Sequence, residues 1–231
     1  GVTLPHGPHC DIGAYEAPFV PVVSLTPATR NFGNQQIGTT SAAKVVTLTY
    51  TGAGTLSIGT LGISGDFAFS TNNCNGKTLA PAGTCAFRVT FAPISTGPKT
   101  GTVSIPSNAP SSPDSVSLTG TGTSPAVGLS PTTLRFNAQF IGTTSATKTV
   151  TLTNTGTGNL EIGILRITGD FTLRSNTCTG AILAAASACK FGVAFSPNST
   201  NSTGTKTGAV SIPSNATSSP NRVTLRGTVN A

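Results

Sequence analysis

With 231 residues, 36% of them hydrophobic, the chain is long enough for one large domain or two of about 100 residues. Only 8% of residues are charged and 27 Gly and 16 Pro interrupt the chain, but the apolar residues fall in short alternating runs, which excludes wholesale disorder. The net charge of +7 comes from basic residues scattered singly, and no apolar stretch reaches the roughly 20 residues of a membrane span, so neither a nucleic-acid surface nor membrane insertion is expected.

Residues 1–21 read as an extended tail. "GPHCDIGAYE" at 7–16 has the character of a closing segment, and the chain contains no methionine and no recognisable leader. The expectation is a piece of a longer precursor. "APFVPVVSL" at 17–25 is extended and apolar. Phe19, Val20, Val22, Val23 and Leu25 are therefore candidates for an assembly strand that adds to a neighbour's sheet edge. The alternative is that they pack on the first domain of their own chain.

From residue 22 the pattern is β. Val46 and Leu48 alternate with Thr47 and Thr49, giving one apolar and one polar face. In "CAFRVTF" Cys85, Phe87, Val89 and Phe91 point one way while Ala86, Arg88 and Thr90 point the other. Val103 with Ile105, and Val116 with Leu118, mark later strands. Turn signals ("TGAG", "SGD", "PAGT", "SNAPSS") separate about seven strands, the number expected of an antiparallel β-sandwich.

The chain then repeats itself. "LTPATRNFGNQQIGTTSAAKVVTLTYTGAGTLSIGTLGISGDF" at 25–67 aligns with "LSPTTLRFNAQFIGTTSATKTVTLTNTGTGNLEIGILRITGDF" at 129–171, an offset of 104. After "NSTNST" the offset is 107, and "GPKTGTVSIPSNA" meets "GTKTGAVSIPSNA". Val150, Leu152, Phe191, Val193 and Phe195 renew the alternation. The division is a tail over 1–21 and two sandwiches over 22–123 and 124–231, joined through the Pro-containing "TGTSPAVGLSP".

Each repeat has two cysteines eleven positions apart, Cys74 and Cys85, then Cys178 and Cys189. A structural disulfide in each repeat is the expectation, worth roughly 3 kcal/mol for a loop of this size, and it implies an oxidising compartment, extracellular or at the cell surface. Neither repeat contains a histidine, and two thiols alone do not hold zinc. Cys10 is unpaired in this scheme: an intermolecular bond, a bond to a preceding module or a free thiol are all open. His6 and His9 beside it are metal-ligand types, but close histidines in a Pro/Gly loop are more often simply solvated.

Catalytic chemistry finds little to use. Six carboxylates are spread over the whole chain, and the equivalent Asp66 and Asp170 of the two "GDF" turns have no second acid at a repeated position. Both read as turn residues. "TGAGT" and "TGTGN" join strands and lack the lysine and helix of a phosphate loop. No enzyme, cofactor or metal is expected. Trp is absent and most Phe fall in core register, which argues against sugar stacking, and Asn198, Asn201 and Asn215 begin glycosylation sequons.

The "IGTTSA", "GDF", paired-Cys strand and "TG.V.I" blocks, in this order and twice over residues 22–231, resemble the Hydin-like (ASH) immunoglobulin-like domains, frequent in bacterial choice-of-anchor D surface proteins. The resemblance implies two tandem immunoglobulin/PapD-like sandwiches without catalytic activity. "CDIGAYE" at 10–16 is similar to the end of parallel β-helix surface proteins. Three functional readings follow. The first is a stalk or spacer whose partners are adjacent modules. The second is a filament subunit whose partners are copies of itself. The third is an adhesin holding a protein or glycan on loops around Asn72–Lys77 or Asn198–Thr203.

Overall fold

The computed structural model describes residues 22–198 and 203–230. In chain order the first sandwich runs β1 (Val23–Thr26), β2 (Thr29–Gln36), β3 (Lys44–Tyr50), β4 (Leu56–Ser57), β5 (Gly62–Ile63), β6 (Phe67–Asn72), β7 (Thr78–Leu79), β8 (Thr84–Phe91), β9 (Gly97–Ile105) and β10 (Asp114–Thr123). One sheet is ordered β1-β3-β8-β6 and the other β2-β10-β9-β5, with β4 and β7 as a short ribbon. The Val/Thr alternation of β3 and β8 places Val46 opposite Phe87 and Leu48 opposite Cys85, all buried.

The second sandwich repeats the plan with β11 (Val127–Ser130), β12 (Thr133–Arg135), β13 (Gln139–Phe140), β14 (Lys148–Asn154), β15 (Leu160–Glu161), β16 (Arg166–Ile167), β17 (Phe171–Arg174), β18 (Ile182–Leu183), β19 (Ala188–Phe195), β20 (Gly204–Ile212) and β21 (Asn221–Asn230). Its sheets are β11-β14-β19-β17 and β12-β21-β20-β16, with β13 also on β21 and β15 paired to β18. Val150 faces Phe191 and Leu152 faces Cys189, the register of the first copy. The all-β sandwich expected from the alternation is thus the fold. It has more strands than the seven expected per copy, because several are two residues long, too short to show a period.

In the second sandwich, among the described residues, pairing is antiparallel except where β12 and β13 run parallel to β21. Arg135 is level with Arg226 and Gln139 with Val229, so three residues (136–138) face two (227 and 228). The extra residue is a bulge, and it changes which face the chain presents. Leu134 and Phe136 point into the core, but Phe140, which strict alternation would send inward, lies outside and is 59% exposed.

Each core is built on three phenylalanines. Phe32, Phe67 and Phe91 have ring centroids 4.8–6.1 Å apart, and Phe136, Phe171 and Phe195 5.0–6.3 Å apart. Lys44 Nζ lies 5.4 Å above the Phe32 ring and Lys148 Nζ 5.7 Å above Phe136. Gly120 and Gly227 leave room for the trio, since a Cβ there would sit 2.5 Å from the Phe91 ring or 2.7 Å from that of Phe195. By proximity the described residues form two compact units, one holding Thr40–Ala92 and Pro98–Gly120 with the chain up to Gly33, the other Asn34–Thr39, Pro93–Gly97 and the chain from Thr121.

Candidate functional site

The cysteines close a corner in each sandwich. Cys85 sits on the core face of β8 and bonds Cys74, with Cα atoms 5.3 Å apart; Cys189 on β19 bonds Cys178, at 5.2 Å. All four are buried. Asn72 Oδ1 accepts from the amides of Cys74 (3.0 Å) and Asn75 (3.3 Å), and Asn75 Oδ1 accepts from Leu61 N at 2.8 Å. In the second copy Asn176 Oδ1 takes the amides of Cys178 and Thr179, and Thr179 Oγ1 takes Leu165 N. Asn72 and Asn75, in the loop expected to hold a ligand, thus spend their side-chain oxygens on amides of the loop and of Leu61. The other candidate loop, 198–203, lies largely outside the described residues.

Of the assembly-strand candidates, Val22, Val23 and Leu25 lie at the start of the first sandwich. β1 belongs to the chain's own sheet, with Val23 opposite Tyr50 and Leu25 opposite Leu48, and the Val22 carbonyl accepts Thr51 N at 2.9 Å. Val23 and Leu25 pack half-buried against the first core, while Val22 stays exposed. Cys10, Phe19 and Val20 lie outside the described residues.

The other polar candidates are also committed locally. Asp66 Oδ2 lies 3.7 Å from Lys99 Nζ, and the Asp66 and Asp170 carbonyls accept the amides of Ala92 and Ser196. At "TGTGN" a Cβ on Gly156 would lie 2.3 Å from Ser124 O, because residues 124–126 pass over the loop; Ser124 O accepts Thr157 N at 2.8 Å. The sequon residue Asn215 accepts Glu161 N through Oδ1 (2.9 Å) and donates to Asn159 O (3.1 Å). Asn108 does the same in the first copy with Ser57 N and Thr55 O. Asn198 is exposed. Among the described residues no three His, Cys, Asp or Glu side chains gather as a metal site requires.

Two features escaped the sequence reading. Asn154, buried at 0% exposure, stands where the first copy has Tyr50. Its Nδ2 donates to Gly158 O (2.7 Å) and Leu183 O (2.9 Å), and its Oδ1 accepts from Gly156 N (3.0 Å). The second feature corrects the expectation of dispersed charge. Arg135 on β12, Arg166 on β16, and Arg222 and Arg226 on β21 all lie exposed on the outer face of one sheet. The register shows it: Arg135 is level with Arg226, and Ser211 of β20 is level with both Arg166 and Arg222. Separations of up to 91 positions in the chain hid the cluster.

Residues 21–115 match the family model described as Abnormal spindle-like microcephaly-assoc'd, ASPM-SPD-2-Hydin (ASH). The first sandwich is similar to ASH domains. The second carries the same trio of rings, the same disulfide and the same strand register as the first. A protein of unknown function from Porphyromonas gingivalis W83 is similar at 14% identity over 89% of this chain and 99% of that one, TM-score 0.37. PapD-like domain 7 of human CEP192, an ASH domain, matches 50% of this chain and 97% of its own at 14% identity, TM-score 0.33. The CupB6 tip adhesin from Pseudomonas aeruginosa matches 92% and 99% at 9% identity, TM-score 0.34. Comparison with the curated proteins found no match.

Proposed function

We propose that the chain is a non-catalytic structural module, a stalk or spacer within an extracellular surface protein of the choice-of-anchor D kind. In this reading residues 1–21 are the end of a preceding module, resembling the close of a parallel β-helix. One observation carries it: what the two copies hold in common closes a sandwich. The phenylalanine trio, the lysine over its first ring, the glycine beside its third, the Asn-pinned loop and the buried disulfide recur position for position. Selection on a repeated active site would retain reactive groups; selection on a load-bearing repeat retains the core and its staple. Disulfides of this kind persist in oxidising compartments, which supports placement outside the cytosol.

The incorporation of β1 into its own sheet favours a spacer over a filament subunit. Sedimentation velocity of the full, unreduced chain over a wide concentration range, with negative-stain electron microscopy of the same samples, tests this. A single monomeric species throughout is expected. Ordered filaments growing with concentration would replace the spacer reading with a fibre subunit.

A further inference from the structure

The arginine face of the second sandwich has no counterpart in the first. The positions equivalent to Arg135, Arg166, Arg222 and Arg226 are Asn31, Gly62, Ser115 and Thr119. Two otherwise equivalent domains thus differ by four arginines on the outer face of one sheet. Arg135 and Arg226 are direct cross-strand partners, about 5 Å apart at the backbone. Like charges so placed repel and cost stability, and general solubility does not require them to be adjacent. Arg166 and Arg222 flank Ser211 from either side, about 10 Å apart. The two pairs stand roughly 13 Å from each other along β21. Beside the first pair lies a cleft of about 360 Å³ lined by Arg135, Phe136, Thr205, Arg226, Gly227 and Thr228.

We infer that this face binds an acidic polysaccharide, its sulfate or carboxylate groups seated on the two arginine pairs. The guanidinium fork matches such planar or trigonal oxyanion edges in a bidentate way. Thr207, Thr224 and Thr228 alternate with the arginines on the same face and offer hydroxyls that both donate and accept, as sugar hydroxyls need. Phe140, turned outward by the bulge, lies level with Asn230 at the end of this face and offers one apolar ring for a sugar to rest on; the first copy has Gln36 there. The alternatives fit less well. A flat sheet face inserts nothing into a duplex groove, and a single ring is not the succession of platforms that single-stranded nucleic acid stacks on. A protein partner would need an apolar centre, and the arginine rows leave none.

The test is titration of the full, unreduced chain with dextran sulfate, polygalacturonate, neutral dextran and duplex DNA at physiological salt. Binding to dextran sulfate or polygalacturonate is expected, and which of them binds tells sulfate from carboxylate recognition. Neutral dextran should not bind. Arg135→Asn with Arg226→Thr, the residues of the first copy, should weaken binding roughly tenfold, with the melting temperature retained or slightly raised. Phe140→Gln should weaken it severalfold without changing its salt dependence. Removing two charges from the first sandwich instead, by Lys77→Ser and Arg88→Thr, should leave affinity within about twofold. Equal losses from the two double variants, duplex DNA bound as tightly as either polysaccharide, or no binding to either acidic polymer would each overturn the inference.

Discussion

Asn154 shows how far a single residue can differ between copies without altering the fold. Tyr50, its counterpart, is also fully buried and satisfies its hydroxyl on the Ala53 carbonyl. Asn154 satisfies both ends of its amide on the backbone of its own loop and of Leu183. Removing either leaves buried groups unpaired, more of them for the asparagine. Asn154→Ala should lower the urea midpoint by the equivalent of about 2–3 kcal/mol, and Tyr50→Phe by about 1 kcal/mol; the reverse order would show that Asn154 is solvated. Gly227→Ala should cost about 1–3 kcal/mol, because its methyl would collide with the Phe195 ring. A melting temperature unchanged by that substitution would mean that the ring yields freely.

At the scale of elements, the two disulfide corners are equivalent by geometry and should be equivalent in energy. Both enclose a separation of eleven residues and both are pinned by an asparagine before the first cysteine. Replacing Cys74 and Cys85 by Ala, or Cys178 and Cys189, should destabilise the affected sandwich by a similar amount, about 2–3 kcal/mol. Calorimetry of the two variants measures it; a loss in one copy alone would contradict the equivalence. The strands carrying these corners were legible because β8 and β19 are eight residues long and alternate throughout. The ribbons β4–β7 and β15–β18 are two residues per strand, and no periodicity can be read from two residues. The outward turn of Phe140 is hidden for a different reason: one inserted residue reverses a face, and the insertion shows only in the pairing of β12 and β13 with β21.

At the scale of the molecule, the repeat was the strongest signal in the sequence, and it set the architecture of two similar sandwiches. The surface was far less legible. Core positions are constrained by neighbours in the chain at spacing two, whereas the arginine face is assembled from strands that meet only in the folded sheet. The spacer account places load on two closed cores, each with its own buried cluster and its own staple. Single-molecule extension of the full chain, oxidised and then reduced, tests this most directly. The account predicts two unfolding steps, each about 30 Å longer after reduction, when the ten residues between each pair of bonded cysteines become free to extend. A single step for the whole chain, or lengths unchanged by reduction, would contradict it.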